Sequence, residues 1–214
     1  MVNVITGLFR PSDEQLMWRV KLQDDSQAFA GLMGRWQTPI ERLCMRMTGD
    51  TQRAEDLVQI AFTRVFARRA EWQPTGKFST FVWQIALNLC RDELRKIKRR
   101  GECPLDVLEE SGEGAIDALP AEEESPATRA ETNERAGLVR QALARLAPHY
   151  REVVVLRHYE QLKFREIGEV LGIPEGTVKS RMAEALTQLN LFLRNLNESP
   201  LCNPRTQKPE LLAL

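Results

Sequence analysis

Apolar side chains recur every three or four positions in two intervals of the chain, 10–100 and 135–196, with polar side chains between them. This spacing places the apolar residues on one side of an α-helix. Alternating runs bounded by glycine or proline, which are typical of strands, are not found in the first interval. The pattern therefore predicts an all-α fold with two helical domains.

Four helices are predicted in the first domain. The first begins after Ser12, and the second continues past Pro39 to a break at Gly49. Asp50 is then a suitable N-cap for a third helix, because its carboxylate can accept a bond from a backbone N–H. The fourth runs from about residue 79 to residue 100. The apolar faces of these helices are predicted at Leu16, Met17, Val20, Phe29, Leu32, Met33, Trp36, Ile40, Leu43, Cys44, Met47, Ala54, Leu57, Val58, Ala61, Phe62, Val65, Phe66, Val82, Ile85, Ala86 and Leu89.

The fourth helix carries a polar stripe opposite its apolar side. At 100 degrees per residue, Phe81 lies in line with this stripe, and Trp72 and Trp83 are close in sequence. Aromatic rings beside Arg and Asn suit single-stranded DNA, because bases stack on rings while cations follow the phosphates. A charged, solvated helix face is the alternative. The stripe consists of Gln84, Asn88, Arg91, Asp92, Arg95 and Arg99.

The second domain contains a predicted helix-turn-helix. A short amphipathic helix containing Phe164 and Ile167 ends at Gly172, and Pro174 suits the first turn of the next helix, where a missing N–H costs nothing. A polar outer face on that second helix is suited to bonding base edges or phosphates in the major groove. An ordinary amphipathic helical hairpin is the alternative. The polar face comprises Thr177, Ser180, Arg181 and Glu184, and the apolar face Val178, Met182, Ala185, Leu186, Leu189 and Leu193.

Charge is segregated along a chain whose net charge is zero. Residues 91–101 carry six basic and two acidic side chains, and residues 135–194 carry ten basic and six acidic. Between them, residues 102–134 carry eleven acidic side chains and one basic, with several prolines and glycines. We interpret 101–134 as a flexible acidic linker. A linker that mimics nucleic acid and shields the basic surfaces, giving a compact inactive form, is the alternative.

The four cysteines do not suggest a metal site. Cys44, Cys90, Cys103 and Cys202 form no CxxC pair, and Cys44 and Cys90 fall within apolar patterns that predict small core residues. The sequence contains no membrane-length apolar segment and no secretory signal pattern. We therefore expect no cofactor, no membrane insertion and a cytoplasmic location.

Three strings of the chain resemble a known family. LGIPEGTVKSR, preceded within residues 142–172 by LARLAPHYREVVVLRHYEQLKFREIGEVLG, is similar to region 4 of bacterial sigma factors of the extracytoplasmic-function (ECF) group. GDTQRAEDLVQIAFTRVF and GKFSTFVWQIALNLCRDELRK resemble region 2 of the same sigma-70 family. The resemblance implies a non-enzymatic factor that binds core RNA polymerase and directs promoter-specific initiation, and that an anti-sigma factor restrains.

The resemblance also implies roles for individual residues. Region 2 would dock on the largest polymerase subunit and capture the opened minus-10 element, with Glu71–Lys77 holding a flipped base. Region 4 would bind the second-largest subunit and read the minus-35 duplex. The polymerase-docking residues would be Glu55, Asp56, Leu57 and Gln59; the minus-10 residues Trp72, Lys77, Phe81, Asn88, Arg91, Asp92, Arg95, Lys96 and Arg99; and the minus-35 residues Arg165, Glu175, Thr177, Lys179, Ser180 and Arg181.

The chain departs from the family pattern in three places. Phe81 stands where the family usually has Trp, and Glu184 stands where Arg is common. The tail at 197–214 lies beyond the motif, and we interpret it as disordered or regulatory.

Two other classes of protein remain open from the sequence. A dimeric helix-turn-helix regulator would explain 135–194 but leaves the first domain unexplained. A nucleic-acid hydrolase would need catalytic motifs that the chain does not show.

Overall fold

The computed structural model describes residues 10–101 and 126–198, and all the regular structure in these two ranges is helical. The first domain contains α1 (Asp13–Gln23), α2 (Ser26–Thr48), α3 (Thr51–Ala67) and α4 (Phe78–Arg100). The second contains α5 (Pro126–Arg145), α6 (Pro148–Val154) with a π-helical continuation (Val155–Tyr159), α7 (Phe164–Leu171) and α8 (Glu175–Glu198). The prediction of an all-α fold is confirmed.

The predicted helix ends are confirmed in the first domain. Ser12 forms a capping box with Gln15, and the Asp50 side chain accepts a bond from the backbone N–H of Arg53 at 3.0 Å. The helix α2 continues through Pro39 and ends at Gly49, whose φ of 80° lies in the left-handed region that glycine adopts without strain. These local signals fix where α3 starts, and therefore which of its residues face outward.

Most of the predicted apolar positions are buried, Cys44 and Cys90 among them. Met33 and Leu186 were predicted to be buried but are 36% and 47% exposed. Both lie at the margin of an apolar stripe, and helical spacing alone does not define how far the neighbouring helix extends over that margin.

Residues 126–134, which the sequence analysis assigns to the linker, form the beginning of α5. The remaining linker positions, including Cys103, lie outside the described residues, as do Cys202 and the rest of the tail from 199 onward. Within the ranges that are described, no helix is long and apolar enough to cross a membrane.

The two domains pack against each other. The helix α4 contacts α7, and α2 contacts α5 and α6, so one cluster of buried apolar residues continues through both domains. The partly buried Phe81 of α4 and the Val170–Gly172 end of α7 line a small cavity of about 230 Å³ at this junction. The polar stripe of α4 therefore begins at the boundary between the domains.

Candidate nucleic-acid interface

The polar stripe of α4 is divided into a covered half and an open half. Near its N-terminal end, the Lys77 ammonium lies 2.8 Å from the Glu166 carboxylate of α7, and Gln84 donates to the backbone carbonyl of Glu169 at 3.1 Å. Seven residues beyond Gln84, two helical turns further along α4, Arg91 binds Glu152 of α6. The second domain therefore contacts Lys77, just before α4, and the stripe residues Gln84 and Arg91, while Asn88 between them stays exposed.

Arg91 and Glu152 form a bidentate ion pair. The Arg91 Nε and Nη2 atoms donate to the two Glu152 carboxylate oxygens at 2.6 and 2.8 Å, and Nη1 donates to Asn88 Oδ1 at 3.0 Å. The hydrogen bond to Glu152 raises the pKa of Arg91. The Glu152 side chain is only 2% exposed, so Arg91 compensates a carboxylate that is almost completely removed from water.

The C-terminal half of the stripe lines an open groove between α3 and α4, with a volume of about 980 Å³. Here Arg95 is 73% exposed and bonds Asp92 at 2.9 Å, and Lys96 bonds Glu93 at 3.0 Å. Exposed ion pairs within one helix contribute little free energy, so Arg95 and Lys96 can exchange their carboxylate partners for phosphate at a small cost in free energy. The groove is also lined by the basic residues Arg53, Arg64, Lys98 and Arg99.

The predicted polymerase-docking residues lie on the other wall of the same groove. Asp56 and Leu57 line it, while Glu55 and Gln59 are exposed on α3 beside it. Leu57 itself is only 4% exposed, so its contribution is to the packing beneath the groove. Ile60, which sequence reasoning missed, is 43% exposed and lines the groove. Its position three residues after Leu57 was a usable signal for an apolar contact on this wall.

Trp72 does not lie on the surface of the first domain. It is 3% exposed and packs in the core, and its backbone carbonyl accepts a bond from the Lys21 ammonium at 2.7 Å. The indole is therefore inaccessible to DNA in this structure, although the loop that carries it is exposed from Gln73 to Lys77. Phe81 is partly buried at the domain junction, where it lines the small cavity together with the C-terminal end of α7.

The helix-turn-helix depends on a close approach at Gly168. A Cβ atom there would lie 2.8 Å from the carbonyl oxygen of Ile173, so a larger residue would push the turn away from α7. The helix then ends at Gly172 with a φ of 67°, and its backbone N–H bonds the Gly168 carbonyl. Val178 and Met182 on α8 are buried. These contacts set the angle at which α8 leaves the turn.

The polar face of α8 is open to solvent. Glu175 and Lys179 pair at 2.8 Å, and the Ser180 hydroxyl bonds the Gly176 carbonyl at 3.0 Å, both within the helix. Thr177 and Arg181 are partly exposed beside them, and Arg165 on α7 is 83% exposed. Glu184, which departs from the family pattern, bonds Gln188 at 2.9 Å on the exposed side of the helix.

Arg151 joins the two domains at a point that sequence reasoning missed. It is 3% exposed and donates to the backbone carbonyls of Met47 at the end of α2 and of Ala144 and Leu146 at the end of α5. Burial lowers its pKa to about 10, because desolvation disfavours the charged form. Arg151 and Glu152 directly precede three valines at 153–155. Because charged residues rarely lie in a buried segment without partners, this position was a signal that both side chains are paired.

A second contact between domains lies beside Arg151. The Arg46 guanidinium stands 3.6 Å from the Glu160 carboxylate and 3.9 Å from the centre of the Tyr159 ring. Burial raises the pKa of Glu160, and the nearby arginines oppose that shift. Throughout the described ranges, no group of three or more His, Cys, Asp or Glu side chains is arranged to hold a metal ion.

Comparison with protein-family models matches residues 32–100 to sigma-70 region 2 and residues 136–189 to sigma-70 region 4. The chain is 34% identical over 172 residues to the ECF RNA polymerase sigma factor SigW of Bacillus subtilis, covering 80% of this chain and 92% of that protein.

Two solved structures share the fold. CnrH in complex with the cytosolic domain of CnrY aligns with a TM-score of 0.60 and 20% identity over 86% of this chain and 97% of that one. The sigma factor RpoE in complex with the anti-sigma factor NepR, from Bartonella quintana, aligns with a TM-score of 0.58 and 18% identity over 78% and 98%. The match over region 2 argues against a simple dimeric regulator, which would leave the first domain unexplained.

Proposed function

This chain belongs to the ECF sigma factors of the sigma-70 family, and on that premise we propose which of its surfaces perform the steps of promoter-specific transcription initiation. The groove between α3 and α4 carries the proposal. It places Asp56 on one wall and Asp92, Arg95 and Lys96 on the other. A polymerase element bound to α3 would therefore hold opened DNA against α4.

The docking surface is the outer wall of α3. Glu55, Asp56 and Gln59 offer acidic and amide groups, and exposed Ile60, one turn after Asp56, adds an apolar contact on the groove side. Protein interfaces combine apolar and polar contacts in this way. We assign this wall to the largest subunit of core RNA polymerase.

The strand-binding surface is the polar stripe of α4 with the loop that precedes it. Arg95, Lys96 and Arg99 supply cations for phosphates, and Lys77, Phe81, Asn88 and Arg91 extend the path toward the loop. Extruding a base costs a few kcal/mol, which stacking and hydrogen bonds to the base edge must recover. Phe81 is the aromatic ring available for that stacking once the second domain has moved away, whereas Trp72 supports the loop from the core.

The duplex-reading surface is the exposed N-terminal half of α8 together with Arg165. Thr177, Lys179, Ser180 and Arg181 can donate to base edges and phosphates of the minus-35 element. The second domain would also bind the second-largest polymerase subunit. Two modest DNA contacts on one chain then strengthen each other through effective concentration.

An anti-sigma protein is the proposed regulator. The Bartonella structure is a sigma factor held by an anti-sigma factor, and it has the same fold as this chain. We expect a stoichiometric partner whose addition abolishes transcription by the reconstituted holoenzyme. RNA polymerase acts in the cytoplasm, and we propose the same location for this chain.

The test is run-off transcription with purified core polymerase and a genomic fragment library. Wild-type protein should produce discrete transcripts, whereas Asp56→Arg should fail to bind core polymerase. Arg95→Glu should bind core polymerase and fail to open promoters. Arg194→Glu reverses an exposed charge on α8 outside these surfaces and is the matched control. Sequence-specific duplex binding by the wild type without any transcript would contradict the proposal.

A further inference from the structure

Two cations of the proposed strand-binding surface, Arg91 of the stripe and Lys77 just before α4, are paired in this structure with carboxylates of the chain's own second domain. Glu152 binds Arg91 through both oxygens, and Glu166 binds Lys77 at 2.8 Å. Arginine and lysine bind phosphate through the same charge-assisted hydrogen bonds. The two glutamates would therefore compete with the phosphates of a bound strand for Arg91 and Lys77.

Glu152 indicates that this packing is more than a chance approach of two surfaces. A glutamate that is 2% exposed carries a large desolvation cost unless a cation compensates it. The cation is Arg91 of the other domain, at 2.6 and 2.8 Å. In a second domain standing alone, the surface that holds Glu152 would be open to water and the carboxylate would be hydrated.

The contact is also selective in what it covers. It includes Phe81, Gln84 and Arg91 on α4 but leaves the polar face of α8 exposed. Arg95 and Lys96, in the open groove, stay accessible. Closure therefore pairs the cations nearest the loop with carboxylates and encloses Phe81 in the small cavity, and these are groups proposed to hold an extruded base.

We propose that Glu152 and Glu166 form an autoinhibitory latch that excludes single-stranded DNA from α4 until the domains separate. The proposal rests on the assignment of α4 to the opened strand. Polymerase binding would select the separated form, because a ligand that prefers one of two states shifts the population toward it. The apparent affinity of the free protein for a single strand is then reduced by the fraction of molecules that are open.

The test measures the full-length chain without polymerase. Binding of fluorescein-labelled oligo(dT) is followed by anisotropy, because stacking on an aromatic ring does not depend on the base sequence. Small-angle scattering reports the separation of the domains. Glu152→Gln removes the buried negative charge, and Glu166→Gln removes the exposed one. In the second variant, the glutamine side chain can still accept the capping-box hydrogen bond from the Lys163 backbone N–H.

Glu169→Gln is the matched control. It removes one charge from the same helix, but the hydrogen bond of Glu169 to the first domain is through its backbone carbonyl, which the variant keeps, and its carboxylate attracts Lys77 less than Glu166 does. The double variant Glu152→Gln/Glu166→Gln should have a larger radius of gyration and bind oligo(dT) roughly tenfold more tightly than wild type. The control should match wild type in both measurements.

Two results would overturn the latch. The double variant could expand without binding oligo(dT) more tightly, or it could show neither expansion nor tighter binding. Glu166→Gln alone, on the surface, keeps the test usable if the buried substitution prevents folding. Run-off transcription by the wild type is independent of these measurements, so a failed latch leaves the sigma assignment intact.

Discussion

Arg91 and Glu152 are 61 residues apart in the chain and join the two domains through two hydrogen bonds of 2.6 and 2.8 Å. Arg91 also belongs to the set proposed to meet the minus-10 strand. One guanidinium therefore has two competing partners, a carboxylate within the chain and a phosphate of the promoter. The same side chain cannot serve both at once, which makes domain packing and strand capture mutually exclusive at this point.

A charge swap tests whether this pair holds the domains together. Arg91→Glu and Glu152→Arg should each weaken domain packing, because each places like charges face to face. The double variant should recover part of the packing, with a coupling free energy on the order of 1–3 kcal/mol. Denaturant unfolding of the four proteins measures it.

The swapped protein should remain poor at binding single strands, since position 91 then carries a carboxylate. Additive effects in the four-protein cycle would mean that the two side chains do not interact.

Trp72 provides a second test, which separates a core role from a DNA role. Trp72→Ala should lower the free energy of unfolding by about 3–5 kcal/mol, because it leaves a large cavity. Trp72→Phe should cost much less, since the indole Nε1 is buried without a hydrogen-bond partner and its loss breaks no bond. Urea denaturation checks both values.

The folded Trp72→Phe protein should initiate transcription as the wild type does. A folded phenylalanine variant that no longer opens promoters would restore the interpretation of Trp72 as a base-stacking residue.

The helices could be predicted because each carries local signals. Ser12, Asp50, Gly49 and Gly172 act on backbone groups within a few residues, and the apolar spacing depends only on helix geometry. The start of α5 at Pro126 could not be predicted in the same way, because its sequence is rich in charge and lacks a clear apolar stripe.

The partners of the polar residues could not be predicted from spacing at all. The stripe on α4 identified Arg91 as an outward-facing side chain, but helical periodicity does not say what faces it. Glu152 looked like one more charge in a basic domain, and only the packing of α6 against α2 brings it within reach of α4. The same limit applies to Trp72, where a motif match gave a surface role to a residue whose ring fills the core.

Gly168 tests the geometry of the helix-turn-helix. Gly168→Ala should destabilise the second domain by about 1–3 kcal/mol, because overpacking forces backbone to shift. The clash is with the Ile173 carbonyl, 2.8 Å from the added Cβ atom, and that oxygen belongs to the backbone of the turn. Gly176→Ala is the matched control, since a Cβ there meets nothing within 4 Å.

The control should leave stability unchanged or raise it by about 0.4–1 kcal/mol, because alanine lowers the conformational entropy of the unfolded chain. Thermal unfolding followed by circular dichroism compares the two variants. Equal melting temperatures would show that the turn accommodates a methyl group and that the close approach is not required.

The Lys77–Glu166 pair predicts how domain packing depends on pH. Its hydrogen bond with Lys77 lowers the pKa of Glu166 below the ordinary 4.5, and the same bond raises the pKa of Lys77 above 10.5. The stabilisation by Glu166 is therefore complete above pH 4.5 and is lost as the pH falls through the lowered pKa. The stabilisation by Lys77 is complete below pH 10.5 and is lost as the pH rises through the raised pKa of Lys77.

The acid side of this window can be measured by comparing wild type with Glu166→Gln in small-angle scattering. Near neutral pH the variant should be more open, and the difference should disappear as Glu166 protonates, because both proteins then carry a neutral group there. Glu169 and Arg165 also act on Lys77, but they are the same in both proteins and cancel in the difference. Glu160, whose pKa burial raises, favours the packed form as the pH falls and also cancels. A difference that persists below the pKa of Glu166 would mean that the substitution opens the domains through shape rather than charge.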